Sequence, residues 1–273
     1  MDFGMPTLIE NRDLEETVSL CKELGLQFIE LNMNFPQYQV PYLEETDYLY
    51  ELAQKNDIYF TIHLDENLNV CDFNRFVADA YMETVERTLK VAQKIHAPLL
   101  NMHMNHGIYI TLPDRKVRLF GEYCEEYMAA FVRFRDMCER TAKEGDTKIC
   151  IENTDGYQTF EKEAIDYLLQ SDLFALTWDI GHSHTCGNVD EAFMMERKEK
   201  LYHFHIHDGL RSKNHQTLGT GEIDLHQRIG IARECGCRCV VETKTIEALR
   251  QSVSWLRENR YLAGPEERRK IEN

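Results

Sequence analysis

Short apolar runs alternate with longer amphipathic stretches along the whole chain. In the amphipathic stretches, such as Asp13–Leu24 and Asn74–Lys94, apolar residues recur every three or four positions, which indicates helices that bury one face. The apolar runs have the length of strands and are Phe3–Thr7, Gln27–Asn32, Ile58–Leu64, Pro98–Met104, Lys148–Asn153, Phe174–Asp179, Lys200–Asp208 and Arg238–Thr243. Strand followed by helix occurs about eight times, the number that a closed parallel barrel needs. The pattern therefore predicts an α/β fold, a single (β/α)8 TIM barrel.

The boundaries of these elements agree with one domain. Asn11 or Asp13 can cap the first helix, and Gly25 can end it. No stretch rich in proline, glycine or serine divides the chain. We therefore predict one catalytic barrel domain over residues 1–263, followed by a charged, solvated tail over residues 264–273.

Composition narrows the class of protein. The chain has 273 residues, of which 43% are hydrophobic, so it can bury a full-sized core. It contains no apolar run of membrane-spanning length, and its nine scattered cysteines are typical of reduced thiols. We expect a soluble, cytoplasmic protein with no membrane partner, and the sequence leaves a homo-oligomer open. The net charge of −16 disfavours nucleic acid as a partner.

Polar side chains collect where the predicted strands end, which is where the active site of such a barrel lies. Seven consecutive predicted strands each supply one: Glu30, His63, His103, Glu152, Asp179, His205 and Glu242. Any one of them alone is more often a satisfied core or rim residue. Several carboxylates that converge on one cavity repel each other unless protons or a cation compensate them, and a divalent ion does so directly. We therefore predict a divalent-metal site.

Histidines also alternate along the seventh predicted strand. His203, His205 and His207 fall on one side of it, so they cannot all reach a metal at the same height. We expect His205 to be the ligand and His203 to lie deeper. His207 and His184 are expected to be outer or rim residues.

At these residues the sequence resembles the xylose-isomerase-like TIM-barrel superfamily, which includes sugar isomerases and epimerases and, as a separate branch, endonuclease IV. The similarity covers nearly the whole chain and rests on five phrases in family order. They are Cys150-Ile-Glu-Asn-Thr-Asp-Gly156, Trp178-Asp-Ile-Gly-His182, Phe204-His-Ile-His-Asp208, Leu218-Gly-Thr-Gly221 and Val241-Glu-Thr243. Each phrase alone is weak, but the ordered set is specific.

The resemblance implies a central metal site with the ligands Glu152, Asp179, His205 and Glu242. Three carboxylates and one imidazole suit Mn²⁺, Co²⁺ or Zn²⁺. In the ketose-epimerase branch the two glutamates also move protons, so Glu152 and Glu242 are the expected catalytic residues.

Further positions of the sequence match functional residues in two different branches of this superfamily. His182 and Arg211 match positions that hold substrate oxygens in the epimerases. His63 and His103 match additional ligands of the multinuclear branch, which implies a second ion and thus one or two ions per chain. His215 matches a ligand of that branch's third metal.

The sequence departs from endonuclease IV at two places. That enzyme has an aspartate two residues before the histidine matched by His215, but Lys213 stands here, and an ammonium cannot coordinate a cation. Its Tyr-Leu wedge, which enters the DNA minor groove, is replaced by Glu66 and Asn67. We therefore expect no third ion between His182 and His215, which with Arg211 and Lys213 would bind substrate oxygens or phosphate.

These observations predict a metal-dependent isomerase or epimerase that acts on a small carbohydrate or sugar phosphate. The ion would stabilise the enediolate that forms when a neighbouring proton is removed. Two alternatives stay open: an endonuclease IV-like phosphodiesterase, and a polyol dehydratase or lyase on the same scaffold. A binding module without activity is disfavoured, because all the central-site positions are filled.

Overall fold

Eight parallel strands close into a barrel in a computed structural model that describes residues 1–142 and 145–263. The barrel order is β1-β12-β9-β8-β7-β4-β3-β2. These strands are β1 (Phe3–Pro6), β2 (Phe28–Asn32), β3 (Tyr59–His63), β4 (Leu99–His103), β7 (Lys148–Glu152), β8 (Phe174–Asp179), β9 (Leu201–Ile206) and β12 (Arg238–Val241). Each lies within one predicted apolar run, so the predicted fold class is confirmed. The predicted tail, 264–273, lies outside the described residues.

Helices separate the strands. The longer ones are α1 (Leu14–Leu24), α3 (Thr46–Asn56), α4 (Arg75–Lys94), α6 (Cys124–Thr141), α7 (Thr159–Leu168), α10 (Leu225–Glu234) and α11 (Ile246–Glu258). The shorter ones are α2 (Val40–Leu43), α5 (Leu119–Glu122), α8 (Ile180–Thr185) and α9 (Glu191–Glu196), and 3-10 turns lie at Pro36–Tyr38 and Lys198–Lys200. Asp13 caps α1 by accepting the backbone N–H of Glu16, and Gly25 ends that helix with a φ of 67°.

Two connections between barrel strands contain hairpins. The first joins β5 (Tyr109–Thr111) to β6 (Lys116–Arg118), and the second joins β10 (Asp208–Leu210) to β11 (Lys213–Gln216). The predicted seventh strand is therefore shorter than expected, because Asp208 begins the second hairpin.

Contacts divide the chain into two compact units. Among the described residues, the first comprises 1–31, 52–60 and 177–263, and the second comprises 32–51, 61–142 and 145–176. In the first unit the buried rings of Trp178 and Phe204 lie 5.7 Å apart. In the second, Tyr127 packs edge-on against Phe160 at 5.0 Å. Among the helices of the described residues, none is long and apolar enough to cross a membrane.

Candidate metal centre

Three predicted ligands lie together in the first unit. Asp179 ends β8, His205 lies in β9 and Glu242 directly follows β12, and each offers a ligand atom within 4.8 Å of the others. Nδ1 of His205 is 3.2 Å from Oε2 of Glu242 and 3.9 Å from Oδ2 of Asp179. All three side chains are buried. Two carboxylates and one imidazole therefore meet where water provides little screening.

The charge of Glu242 is only partly compensated by its neighbours. Its Oε1 pairs with Nζ of Lys244 at 2.7 Å, whereas its Oε2 is buried and accepts no hydrogen bond from the described residues. Burial raises the pKa of Glu242, but the interactions with His205 and Lys244 outweigh burial and hold that pKa well below its usual range. An ionised, buried carboxylate with one unshared oxygen fits a divalent cation beside His205.

Glu30 contacts the ring of His205 at Nε2, whereas Glu242 contacts that ring at Nδ1. Its Oε1 is 2.8 Å from Nε2 of His205, and its Oε2 is 3.1 Å from Nε2 of His203. Burial raises the pKa of Glu30, but its interactions with His205 and His203 bring that pKa well below the usual range. The sequence placed Glu30 at a strand end, and this was wrong, because β2 continues to Asn32. His203 lies two residues before His205 on β9, which ends at Ile206.

His207 supports Asp179 from the other side. Its Nδ1 accepts the backbone N–H of His215 at 2.7 Å, so its proton is on Nε2, which lies 3.0 and 3.1 Å from the two oxygens of Asp179. Asp179 also caps α8 by accepting the backbone N–H of His182. Gly181 makes this arrangement possible, because a Cβ at that position would overlap the imidazole of His207.

The four predicted substrate-binding residues all belong to the first unit. His182 lies in α8, Arg211 lies in the turn between β10 and β11, and Lys213 and His215 lie in β11. His182 and His215 have ring centroids 5.3 Å apart, and with His207 they form a group of imidazoles whose nitrogen atoms lie within 4.8 Å of each other. Burial lowers the pKa of His215 to about 4, so this ring is neutral at pH 7. The side chains of Arg211 and Lys213 are exposed.

The turn after β11 is held by one carboxylate. Asp208 is buried and accepts four backbone N–H groups, from Gly209, Gly219, Gly221 and Ile223, at 2.8 to 3.2 Å. Gly221 must lack a side chain, because a Cβ there would overlap Asp208. The phrase Leu218-Gly-Thr-Gly221 is therefore a turn built around Asp208.

The remaining predicted ligands form a cluster in the second unit. Oε2 of Glu152, at the end of β7, is 3.3 Å from Nε2 of His63 and 3.2 Å from Nε2 of His103. It also accepts a hydrogen bond from Nδ2 of Asn101. Nδ1 of His63 donates to the carbonyl oxygen of Leu64 at 2.7 Å, so Nε2 is the nitrogen that faces the carboxylate. Nε2 and the carboxylate oxygen are both donor atoms of the kind that a divalent cation binds.

A second histidine cluster lies nearby in the same unit. His106 donates from Nδ1 to Oε1 of Glu161 at 2.6 Å and from Nε2 to Oδ1 of Asp155. Interaction with the buried Glu161 and with Asp155 outweighs burial and raises the pKa of His106 to about 9. This imidazolium joins the loop after β4 to the loop after β7, each three residues beyond a predicted ligand.

Sequence reasoning missed Lys244, Asn101, Asp208 and the His106 cluster as parts of these sites. Lys244 had a signal, because it stands two residues after Glu242. The partners of His106 had none, because they lie 49 and 55 residues away along the chain.

Comparison with known proteins identifies one matching family model and several structures with a similar fold. The family model of the xylose isomerase-like TIM barrel matches residues 18–259. A D-tagatose 3-epimerase-like protein is 21% identical, with a TM-score of 0.77, over 96% of this chain and 97% of that chain. The apo form of a 3-keto-D-glucoside 4-epimerase from E. coli is 14% identical, with a TM-score of 0.74, over 94% and 99%.

A third solved structure, the IOLI protein with a zinc atom, is 17% identical to this chain, with a TM-score of 0.73, over 97% of this chain and 100% of that chain. A comparison with curated protein sequences gave no match.

Proposed function

The chain belongs to the xylose isomerase-like TIM-barrel family, and we propose that it is a divalent-metal-dependent isomerase or epimerase of a small carbohydrate or sugar phosphate. The observation that carries the proposal is the buried group of Asp179, His205 and Glu242. Two of its three members are carboxylates, and Oε2 of Glu242 accepts no hydrogen bond from the described residues. Sugar epimerases among the similar structures, and a zinc atom in one of them, support it.

Glu152 is the fourth ligand in this proposal. It ends β7, which is the neighbour of β8 in the barrel order, and Asp179 ends β8. Three carboxylates and one imidazole suit Mn²⁺, Co²⁺ or Zn²⁺. The ion, when bound, would polarise a carbonyl oxygen and an adjacent hydroxyl of the sugar.

The two glutamates would then transfer the carbon-bound proton of the substrate. Glu242 would hold the ion with Oε2, and its Oε1, which is paired with Nζ of Lys244, would take the proton. Glu152 would act on the opposite face of the substrate, because β7 and β12 are not neighbours in the barrel order. One glutamate removes a proton and the other returns it, which is the requirement for epimerisation.

Residues of the first unit would hold the sugar. Neutral His215 and His182 can exchange hydrogen bonds with hydroxyl groups, and exposed Arg211 and Lys213 can pair with a phosphate. His207 does not join them as a ligand, because both its nitrogens already have partners. We therefore propose that no ion is bound between His182 and His215.

A second ion would lie at His63, His103 and Glu152. The position of Nε2 of His63, 3.3 Å from Oε2 of Glu152, supports this site. The same pair of ions could also serve phosphodiester hydrolysis, which is the competing function.

The test measures the exchange of a carbon-bound hydrogen of the substrate with solvent. Metal-loaded protein is incubated in D₂O with a panel of ketoses and ketose phosphates, alongside a DNA duplex with an abasic site, and the bound metal is quantified by elemental analysis. We expect one or two ions per chain and deuterium at the carbon next to the carbonyl. Glu152→Gln and Glu242→Gln should each lower exchange by about 100-fold or more.

The matched control is Glu258→Gln, the same change at an exposed position at the end of α11. It should leave exchange unchanged. Cleavage of the abasic duplex that is lost in Glu152→Gln, with no exchange into any sugar, would replace the proposal by the phosphodiesterase alternative.

A further inference from the structure

We propose that Glu30 is a positioning residue that fixes the ring of His205, so that Nδ1 faces the metal ion. The inference rests on the proposed metal centre. It assigns a role to a buried carboxylate that is neither a ligand nor a proton carrier in that proposal.

The tautomer of His205 follows from its neighbours. Nε2 lies 2.8 Å from Oε1 of Glu30, an oxygen suited to accept a hydrogen bond. When a metal ion occupies Nδ1, the remaining proton of the ring must be on Nε2, beside this oxygen. Nδ1 then carries the lone pair, on the side where Glu242 lies at 3.2 Å and Asp179 at 3.9 Å.

Glu30 itself is unsuited to bind the ion. Its two oxygens face two imidazole nitrogens, Nε2 of His205 and Nε2 of His203, and all three residues are at most 2% exposed. A cation at Glu30 would have to displace the proton on at least one of these nitrogens. The two imidazole nitrogens instead flank the carboxylate, with a hydrogen bond from His203 and an ion-pair contact to His205.

The negative charge of Glu30, in addition to its shape, strengthens the binding of a metal ion by His205. An imidazole that donates to a carboxylate is a stronger electron-pair donor to a metal than one that donates to a neutral oxygen. Glutamine could accept the same hydrogen bond with its carbonyl oxygen, but it would lack the charge and would turn an amide donor toward His203. Glu30→Gln therefore removes the effect with almost no change in volume.

The first measurement is metal affinity. Titration of the metal-free protein with Zn²⁺ and with Mn²⁺ in the presence of a competing chelator should give a dissociation constant about 10- to 100-fold higher for Glu30→Gln than for the unmodified protein. The matched control is Glu191→Gln. Glu191 also accepts two charge-assisted hydrogen bonds, at 2.8 Å from Arg228, but it has no contact with a proposed ligand. Its affinity should be unchanged.

The second measurement reports on the ring itself. In Co²⁺-loaded protein with ¹⁵N-labelled histidine, Nε2–H of His205 should give a paramagnetically shifted proton signal that exchanges slowly with D₂O. Glu30→Gln should move this signal and accelerate its exchange. A loss of general stability would change neither the position of the signal nor the affinity of the folded fraction.

Glu30→Asp provides a second variant if Glu30→Gln does not fold. It keeps the charge but withdraws the oxygen from Nε2, so it should also weaken binding and move the signal. Unchanged affinity and an unmoved signal in a folded Glu30 variant would overturn the inference and leave the proposed function standing. Anomalous scattering that places the ion on Nε2 of His205 would do the same. Unmodified protein that binds no ion would overturn both.

Discussion

Gly181→Ala is expected to destabilise the first unit through a single contact. The Cβ of an alanine would overlap Nδ1, Cε1 and Nε2 of His207, so the imidazole must leave its place between His215 and Asp179. Gly181 lies in α8, where alanine is otherwise the better residue by about 1 kcal/mol.

The magnitude follows from these opposing effects. Forcing extra volume into a packed site costs about 1 to 3 kcal/mol, and losing a buried hydrogen bond to a charged group costs about 1.5 to 3 kcal/mol. After the gain in helix propensity, we expect the free energy of unfolding to fall by about 1.5 to 5 kcal/mol. Urea denaturation of the metal-free protein measures this directly.

Gly230→Ala is the matched control. Gly230 lies inside α10, and an added Cβ would meet no atom within 4 Å, so this variant should gain about 0.5 to 1 kcal/mol. The decisive comparison repeats Gly181→Ala in a His207→Ala background, where the ring is gone. There the substitution should cost almost nothing. An equal loss of stability in both backgrounds would refute the proposed contact.

Two further predictions concern other charged groups. Because the pKa of His106 is raised from 6.5 to about 9, its stabilisation is complete below pH 6.5 and is lost as the pH rises through about 9. The free energy of unfolding should fall across that range, and His106→Gln should reduce this fall; an equal fall in both proteins would contradict the role of His106. Asp208→Asn should cost about 1.5 to 3 kcal/mol, because an amide accepts the four N–H groups less strongly. Hydrogen exchange at Gly219 and Gly221 should accelerate, and unchanged exchange would show that the turn does not depend on this carboxylate.

The barrel could be predicted from the sequence because its strands are buried and therefore apolar over four to six residues. The hairpin of β5 and β6 could not. Its residues Tyr109, Ile110 and Thr111 are all exposed, so no alternation of apolar and polar positions distinguishes them from a loop. These two strands of three residues are defined by their pairing and not by burial.

The candidate site also contains residues that could be predicted from the sequence and residues that could not. Asp179 and Glu242 could be found because each stands at or just beyond the end of an apolar strand, and His205 because it stands one residue before the end of β9. The role of Glu30 could not, because its partner His203 is 173 residues away and nothing local to Phe28–Asn32 indicates a histidine beside it. The tautomers of His63 and His207 depend on hydrogen bonds to backbone groups, and no sequence pattern predicts those hydrogen bonds.

Three alternating histidines, two in β9 and one directly after it, constrain how this protein can change over evolutionary time. His203, His205 and His207 contact Glu30, Glu242 and Asp179 in turn, at intervals of two residues or about 6.6 Å along the chain. Inserting or deleting one residue within 203–207 would turn part of this series to the opposite face of the strand. New activities are therefore more accessible through substitutions here and through changes of length elsewhere. A directed-evolution library should keep 203–207 at constant length and vary the connection at 105–120.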